Sequence, residues 1–192
     1  MKDISLVQLD DVLSRLDERE QNVSLIDSAS GDGWTPTLAW NPVDSLRLMG
    51  GNFIHAVEQI EAFTKVQQKQ GRLVIGYMSY DLGSRLRGVA LHTLDDLQTP
   101  LALLYSFDDW LTFEGDALDI HDGSGVFQKS IEAIMRRQSR DVPSRLYTDP
   151  LSPTLTREQY ASAYQKVKSY ITAGDVYQVN LTHRLQGTTN VS

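Results

Sequence analysis

The side chains of this sequence best suited to moving protons or holding a metal are its histidines and its adjacent aspartates. His55, His92, His121 and His183 stand far apart. They form neither an H-x3-H nor an HExxH pair, the spacings that bring two imidazoles to one face of a helix for a metal. Asp10-Asp11, Asp95-Asp96 and Asp108-Asp109 could supply an acid and a base. Neighbours in sequence point in different directions on a helix or strand, so none of these pairs makes a dyad by itself. Gly31-Asp32-Gly33 and Gly123-Ser124-Gly125 read as turns, since neither completes a phosphate-binding GxxxxGK[ST] or GxGxxG loop. Gly76-Tyr77-Met78-Ser79-Tyr80 lacks the closing glycine of a nucleophile elbow. With no cysteine in the chain, disulfides and thiolate metal sites are excluded. The residue pattern therefore assigns no catalytic residue and no metal ligand within the chain.

The elements that would have to position any chemistry alternate helix and strand. Leu9, Val12, Leu13 and Leu16 recur at helical spacing and predict a helix over 5–18. A strand follows over 23–28, then a turn at 30–33 and a returning strand over 37–40, closed by Asn41-Pro42. Phe53, Ala56, Val57, Ile60 and Phe63 share one helical face, and Gly71 closes that region. Residues 73–79 and 101–105 are apolar runs suited to buried strands. Trp110 to Phe113 continues as strand, and Glu114-Gly115-Asp116 turns it into 117–121 as a hairpin. Phe127, Ile131, Ile134, Met135 and Gln138 mark a helix over 125–139. Pro143, Pro150 and Pro153 make 141–153 a linker with no regular structure. Thr156 and Gln159 then fit a capping box, a stripe of Tyr160, Ala163, Tyr164, Val167 and Ile171 follows, and Gly174 sits where a left-handed cap is needed. A strand over 176–185 comes after it. The fold class is α+β, a mixed and largely antiparallel sheet with flanking helices, divided into 1–150 and 151–192.

Composition narrows the function classes. A chain of 192 residues with 41% apolar and 22% charged residues can bury a sizeable core. Its net charge of −7 offers no basic stripe for nucleic acid or an anionic membrane. No run approaches the roughly 20 apolar residues of a membrane span, and no secretory signal opens the chain, so the cytoplasm is the expected address.

Three stretches, and a fourth shorter one, carry a resemblance. Gly76-Tyr77-Met78-Ser79-Tyr80-Asp81-Leu82-Gly83-Ser84-Arg85-Leu86 resembles the GYxSYDLGRxLE signature of aminodeoxychorismate synthase large subunits, the component I proteins of the chorismate-binding superfamily. Ser84 stands at the usual arginine and Arg87 near the usual glutamate. Here Gly76 permits close backbone approach, Gly83 permits a sharp turn, and tyrosines pack the strand end. Residues 101–110 resemble the LPDLALGxYDWAL strand pair. Residues 155–185, with Gly174, Asp175, Tyr177, Gln178 and Asn180, follow LTREQYxxAxxKxxxYIxAGDxYQVNLTxRF nearly throughout, with Leu185 at the final aromatic. Leu25, Ile26, Asp27 and Ser28 are similar to the LLES segment that lines a tryptophan pocket in anthranilate synthase large subunits.

The resemblance implies the N-terminal portion of an enzyme that makes 4-amino-4-deoxychorismate from chorismate, with Mg2+ and with ammonia from a glutamine amidotransferase subunit. It implies that residues 151–192 begin an incomplete chorismate-binding domain. The catalytic lysine of a PIKGT-like motif and the metal-binding glutamates follow further along in the family, so the fragment is expected to be inactive alone and to hold no cofactor. Alternatives are a stand-alone module that binds tryptophan or docks the glutaminase, and the front of an anthranilate or isochorismate synthase. An unpaired 176–185 strand is expected either to self-associate or to be poorly ordered.

Overall fold

A computed structural model of the chain describes residues 7–27, 35–50, 54–90, 95–115, 117–140 and 149–188. It divides into two compact units, Met1–Arg140 and Asp141–Ser192, and helices mix with antiparallel sheets in an α+β fold.

Alternating apolar residues build the first unit in layers. β1 (Ser24–Ile26) and β2 (Thr37–Ala39) pair antiparallel. β3 (Asp44–Leu48) and β4 (Leu73–Met78) both pair with β5 (Ala102–Phe107), giving a three-stranded sheet in the order β3-β5-β4. β6 (Asp109–Glu114) and β7 (Ala117–Asp122) complete a four-stranded sheet, β1-β2-β6-β7. Side chains alternate across each strand. Leu38, Leu111 and Phe113 therefore face α1 (Leu9–Leu13) and α4 (Phe127–Met135), while Ala39 and Trp110 face the other sheet. Ile75 and Phe107 fill the space between the sheets. Leu48 and Ala102 face α2 (Ala56–Lys69) and α3 (Tyr80–Leu86). Each such buried aliphatic or aromatic side chain contributes roughly 1.5–3 kcal/mol.

The chain passes between the two sheets over residues 40–43 and again, more sharply, at a single residue. β5 ends at Phe107, β6 begins at Asp109, and the chain changes sheet at Asp108. Arg72 Nε donates to Asp108 Oδ1 at 2.7 Å, and Arg72 Nη1 donates to Gln67 Oε1 at 2.9 Å. Ser106 Oγ donates to that same Gln67 oxygen at 3.2 Å, and Gln67 Nε2 donates to Asp44 Oδ2 at 2.8 Å. Gln67 and Ser106 are buried, so this network satisfies polar groups that would otherwise be stranded.

Several expectations change. Of the helix expected over 5–18, residues 5 and 6 lie outside the described residues, and among the rest the helix covers Leu9–Leu13: Gln8 gives no side-chain cap, and a turn at 17–20 follows. Strand β3 was unforeseen, because Asp44 and Arg47 break its apolar pattern. β4 is not a buried strand throughout, since Gly76, Tyr77 and Met78 are exposed. Past it the chain forms α3 instead of a sharp turn, and Gly83 lies inside that helix. Tyr80, at 90% exposure, does not pack the strand end. The hairpin does form, with Gly115 at φ 59°.

The second unit is α5 (Arg157–Ala173) and a short ladder of β8 (Ser152–Pro153) with β9 (Leu185–Gln186). Thr156 and Gln159 form the capping box, and Gly174 closes the helix at φ 80°. The linker reading of 141–153 falls in part on 141–148, outside the described residues; Ser152–Pro153 is paired rather than irregular. The 176–185 strand does not form. Only Leu185 of that span is laddered, and a row of amides without an opposing row builds no strand.

Gly76 is held to glycine by contact. A Cβ there would lie 2.0 Å from the Leu103 carbonyl oxygen, across the β4–β5 pair. Gly76→Ala is expected to lose about 3 kcal/mol in urea denaturation. Gly83→Ala, whose Cβ would meet nothing within 4 Å, is expected to gain about 0.5–1 kcal/mol in the same measurement.

Candidate functional site

The signature segment 76–83 is assembled on the outer part of β4 and the first turn of α3. Ser79 stops the strand: its amide donates to the Leu101 oxygen at 2.8 Å, and its hydroxyl caps α3 by accepting from the Leu82 amide at 3.3 Å. Leu82 is buried below, while Tyr77 and Tyr80 point to solvent. Asp81 sits in the first turn of α3, where its charge suits the helix dipole. Arg85 Nη1 donates to the Gly50 oxygen at 3.1 Å. Between α2 and β4–α3 runs a groove of about 280 Å³, lined by Val57, Ile60, Met78, Leu82 and Leu86. Its walls are mainly apolar, with Glu61 and Ser79 the polar side chains among them, so it is suited above all to hold carbon.

The 25–27 segment divides by face. Leu25, paired with Leu38, is 43% exposed, whereas Ile26 packs between the sheets with Ala39, Ile75 and Phe107. Strand alternation puts Asp27 on the same side as Leu25. Ser28, the fourth residue of this candidate pocket, lies outside the described residues. In the second unit, the Gly174 and Asp175 amides close α5 by donating to the carbonyl oxygens of Ile171 and Tyr170 at 3.1 and 3.0 Å. Tyr177 is 97% exposed, and Gln178 and Asn180 are exposed beside it.

Sequence reasoning missed a charged cleft of about 240 Å³ between α4 and the end of β2, floored by Trp40 and Phe127 with ring centroids 4.9 Å apart. Arg137 crosses it to grip Glu20 with both terminal nitrogens, at 2.7 and 2.9 Å, and also lies 3.4 Å from Asp17. Burial pushes the Glu20 carboxyl up. The Arg137 bonds and the Asp17 amide outweigh it and hold the group below the usual carboxylate range. Asp122 is also held low, first by the Phe127 amide at 2.9 Å, then by that of Gln128 at 3.2 Å. Its carboxylate thus caps α4 from the end of β7. Arg137 offered little signal, since nothing in the sequence ties it to a residue 117 positions away. Gln67 did offer one, as a polar residue on the apolar stripe of α2.

Among the described residues, no three His, Cys, Asp or Glu side chains come together as a cation site. The residues described here do not fit the Mg2+ of the resemblance. Nor is any described helix long and apolar enough to cross a membrane.

A family profile described as chorismate binding enzyme matches residues 22–192. The aminodeoxychorismate synthase component 1 of Bacillus subtilis (strain 168) is 27% identical over 128 residues, 57% of this chain and 26% of that protein. The protein of the same name from Klebsiella aerogenes is 24% identical over 153 residues, 79% of this chain and 34% of its own length. The chain thus spans between a quarter and about a third of these curated relatives.

Both low carboxyls make stability depend on pH. A group whose folded pKa lies below its ordinary value of 4.5 (Glu20) or 3.8 (Asp122) stabilises above that value, and the contribution is lost as pH falls through the folded one. Urea midpoints are expected to fall as the pH drops below the ordinary value of 4.5, and the fall to be shallower in Glu20→Gln. At neutral pH that substitution, which weakens the ion pair with Arg137, should itself cost about 2 kcal/mol.

Proposed function

The chain belongs to the chorismate-binding enzyme family, and from that premise we propose that it is the N-terminal part of an aminodeoxychorismate synthase large subunit. The proposed whole enzyme takes chorismate and ammonia to 4-amino-4-deoxychorismate, on the route to para-aminobenzoate and folate. A glutamine amidotransferase supplies the ammonia. The observation that carries this reading is the stretch from the Thr156 capping box to the Gly174 cap, running on into Tyr177-Gln178-Val179-Asn180. Two relatives that bear the aminodeoxychorismate synthase name support the same branch over the anthranilate branch.

In this proposal residues 1–192 supply scaffold rather than reacting groups. The Mg2+ ligands and the nucleophilic lysine belong to polypeptide that would follow. Residues 76–83 contribute a strand end and a helix that present a mainly apolar wall, with Glu61 and Ser79 as the polar side chains of the groove's lining.

The test is genetic. The full reading frame that contains this chain, with any codons beyond 192, is placed in a para-aminobenzoate auxotroph lacking the large subunit and in a tryptophan auxotroph lacking anthranilate synthase. Growth of the first strain without para-aminobenzoate is the expected result. Rescue of the tryptophan auxotroph alone assigns the chain to the anthranilate branch, and rescue of neither overturns the proposed reaction. Residues 1–192 by themselves, given chorismate, ammonia and Mg2+, are expected to form no 4-amino-4-deoxychorismate detectable by chromatography.

A further inference from the structure

Gln67 is a polar side chain buried near the end of α2, and its two ends do different things. Its oxygen accepts from Ser106 on β5 and from Arg72, whose Nε holds Asp108 at the change of sheet. Its nitrogen donates to Asp44 at the start of β3. Reversing the carboxamide would turn its NH2 group toward the Arg72 guanidinium and its oxygen toward the Asp44 carboxylate. Donor would then face donor and acceptor face acceptor, so the surroundings allow one orientation. Asp44 and Asp108 are both acceptors when ionised, and any direct action between them is repulsive. What joins them is the chain Asp44–Gln67–Arg72–Asp108.

We propose that the Gln67 carboxamide is a latch: through it the start of β3, the end of α2 and the inter-sheet corner close and open as one unit. The bond to Asp44 fixes the amide, and a fixed amide presents its oxygen to Arg72. A fixed Arg72 presents its Nε to Asp108. Each bond thus orders a group that the next one needs, and each polarises its neighbour in a site shielded from water. Asp44 and Asp108 support each other in this way although their charges repel. α2 also carries Val57 and Ile60, one wall of the apolar groove, so the latch ties that wall to the sheet corner. The latch lies wholly within the first unit and does not depend on the proposed reaction.

A double-mutant cycle on residues 1–192, in urea, tests the latch by the sign of the coupling. Tryptophan fluorescence reads the first unit alone, since all three tryptophans lie in it. Asp44→Ala and Asp108→Asn are made singly and together. With a latch, the first substitution has already loosened the second site, so the double variant loses less than the product of the two single losses. The shortfall in the unfolding constant is expected to be about threefold or more. Direct repulsion predicts the opposite sign, because each single variant gains the relief that the double variant gains only once. The same cycle in a Gln67→Met background, which has no polar ends to bridge, is expected to be additive. An additive cycle in the native background, a coupling of the opposite sign, or a coupling that survives Gln67→Met overturns the proposal. Should Asp108→Asn fail to fold, Ser106→Ala takes its place, since it removes the other donor to the same Gln67 oxygen and carries the same expected sign. The sign in the native background decides by itself if the Gln67→Met chain does not fold.

Discussion

The first unit depends on a change of sheet made at one residue. Asp108 ends one sheet and starts the other, so whatever fixes its orientation fixes the angle between the two layers. Arg72 holds its carboxylate, and its carbonyl takes the Gly123 amide at 3.2 Å, where a Cβ on Gly123 would stand only 2.4 Å from that oxygen. The ion pair is about a quarter exposed and gains from hydrogen bonds on both partners, which is the condition under which such a pair offsets its own desolvation. The inter-sheet core of Ala39, Ile75 and Phe107 is small enough that a loose corner would open it.

What could be read from the sequence was the part governed by local chemistry. The Thr156–Gln159 capping box, the left-handed Gly174 and the turn at Gly115 each follow from a residue and its immediate neighbours, and each is present. The stripe of Phe127, Ile131 and Ile134 gave α4 for the same reason. The parts that did not show depend on distant partners. β3 is a strand because β5 runs beside it, not because Asp44-Ser45-Leu46-Arg47-Leu48 alternates well. The 176–184 segment reads as a strand yet makes no ladder, because pairing is a property of two strands and not of one. α3 was hidden by Gly83, which lowers helix propensity, and was made by the Ser79 cap and the burial of Leu82.

The same division separates scaffold from site. Gly76 was legible as a place of close approach, and its neighbours carry the family signature, but the signature tyrosines face solvent instead of a substrate-sized polar pocket. The charged pair of Glu20 and Arg137, which looks more like a site, is closed on itself by two hydrogen bonds. Residues that resemble a family and residues that could do chemistry thus fall on different surfaces of this unit.

The contact at Gly76 bears on how such segments are recognised at all. With the Leu103 carbonyl where a Cβ would be, the glycine records how closely two strands approach, and any side chain would push them apart. A pattern search keyed on it retrieves proteins that share a sheet geometry, whatever reaction the rest of their polypeptide performs.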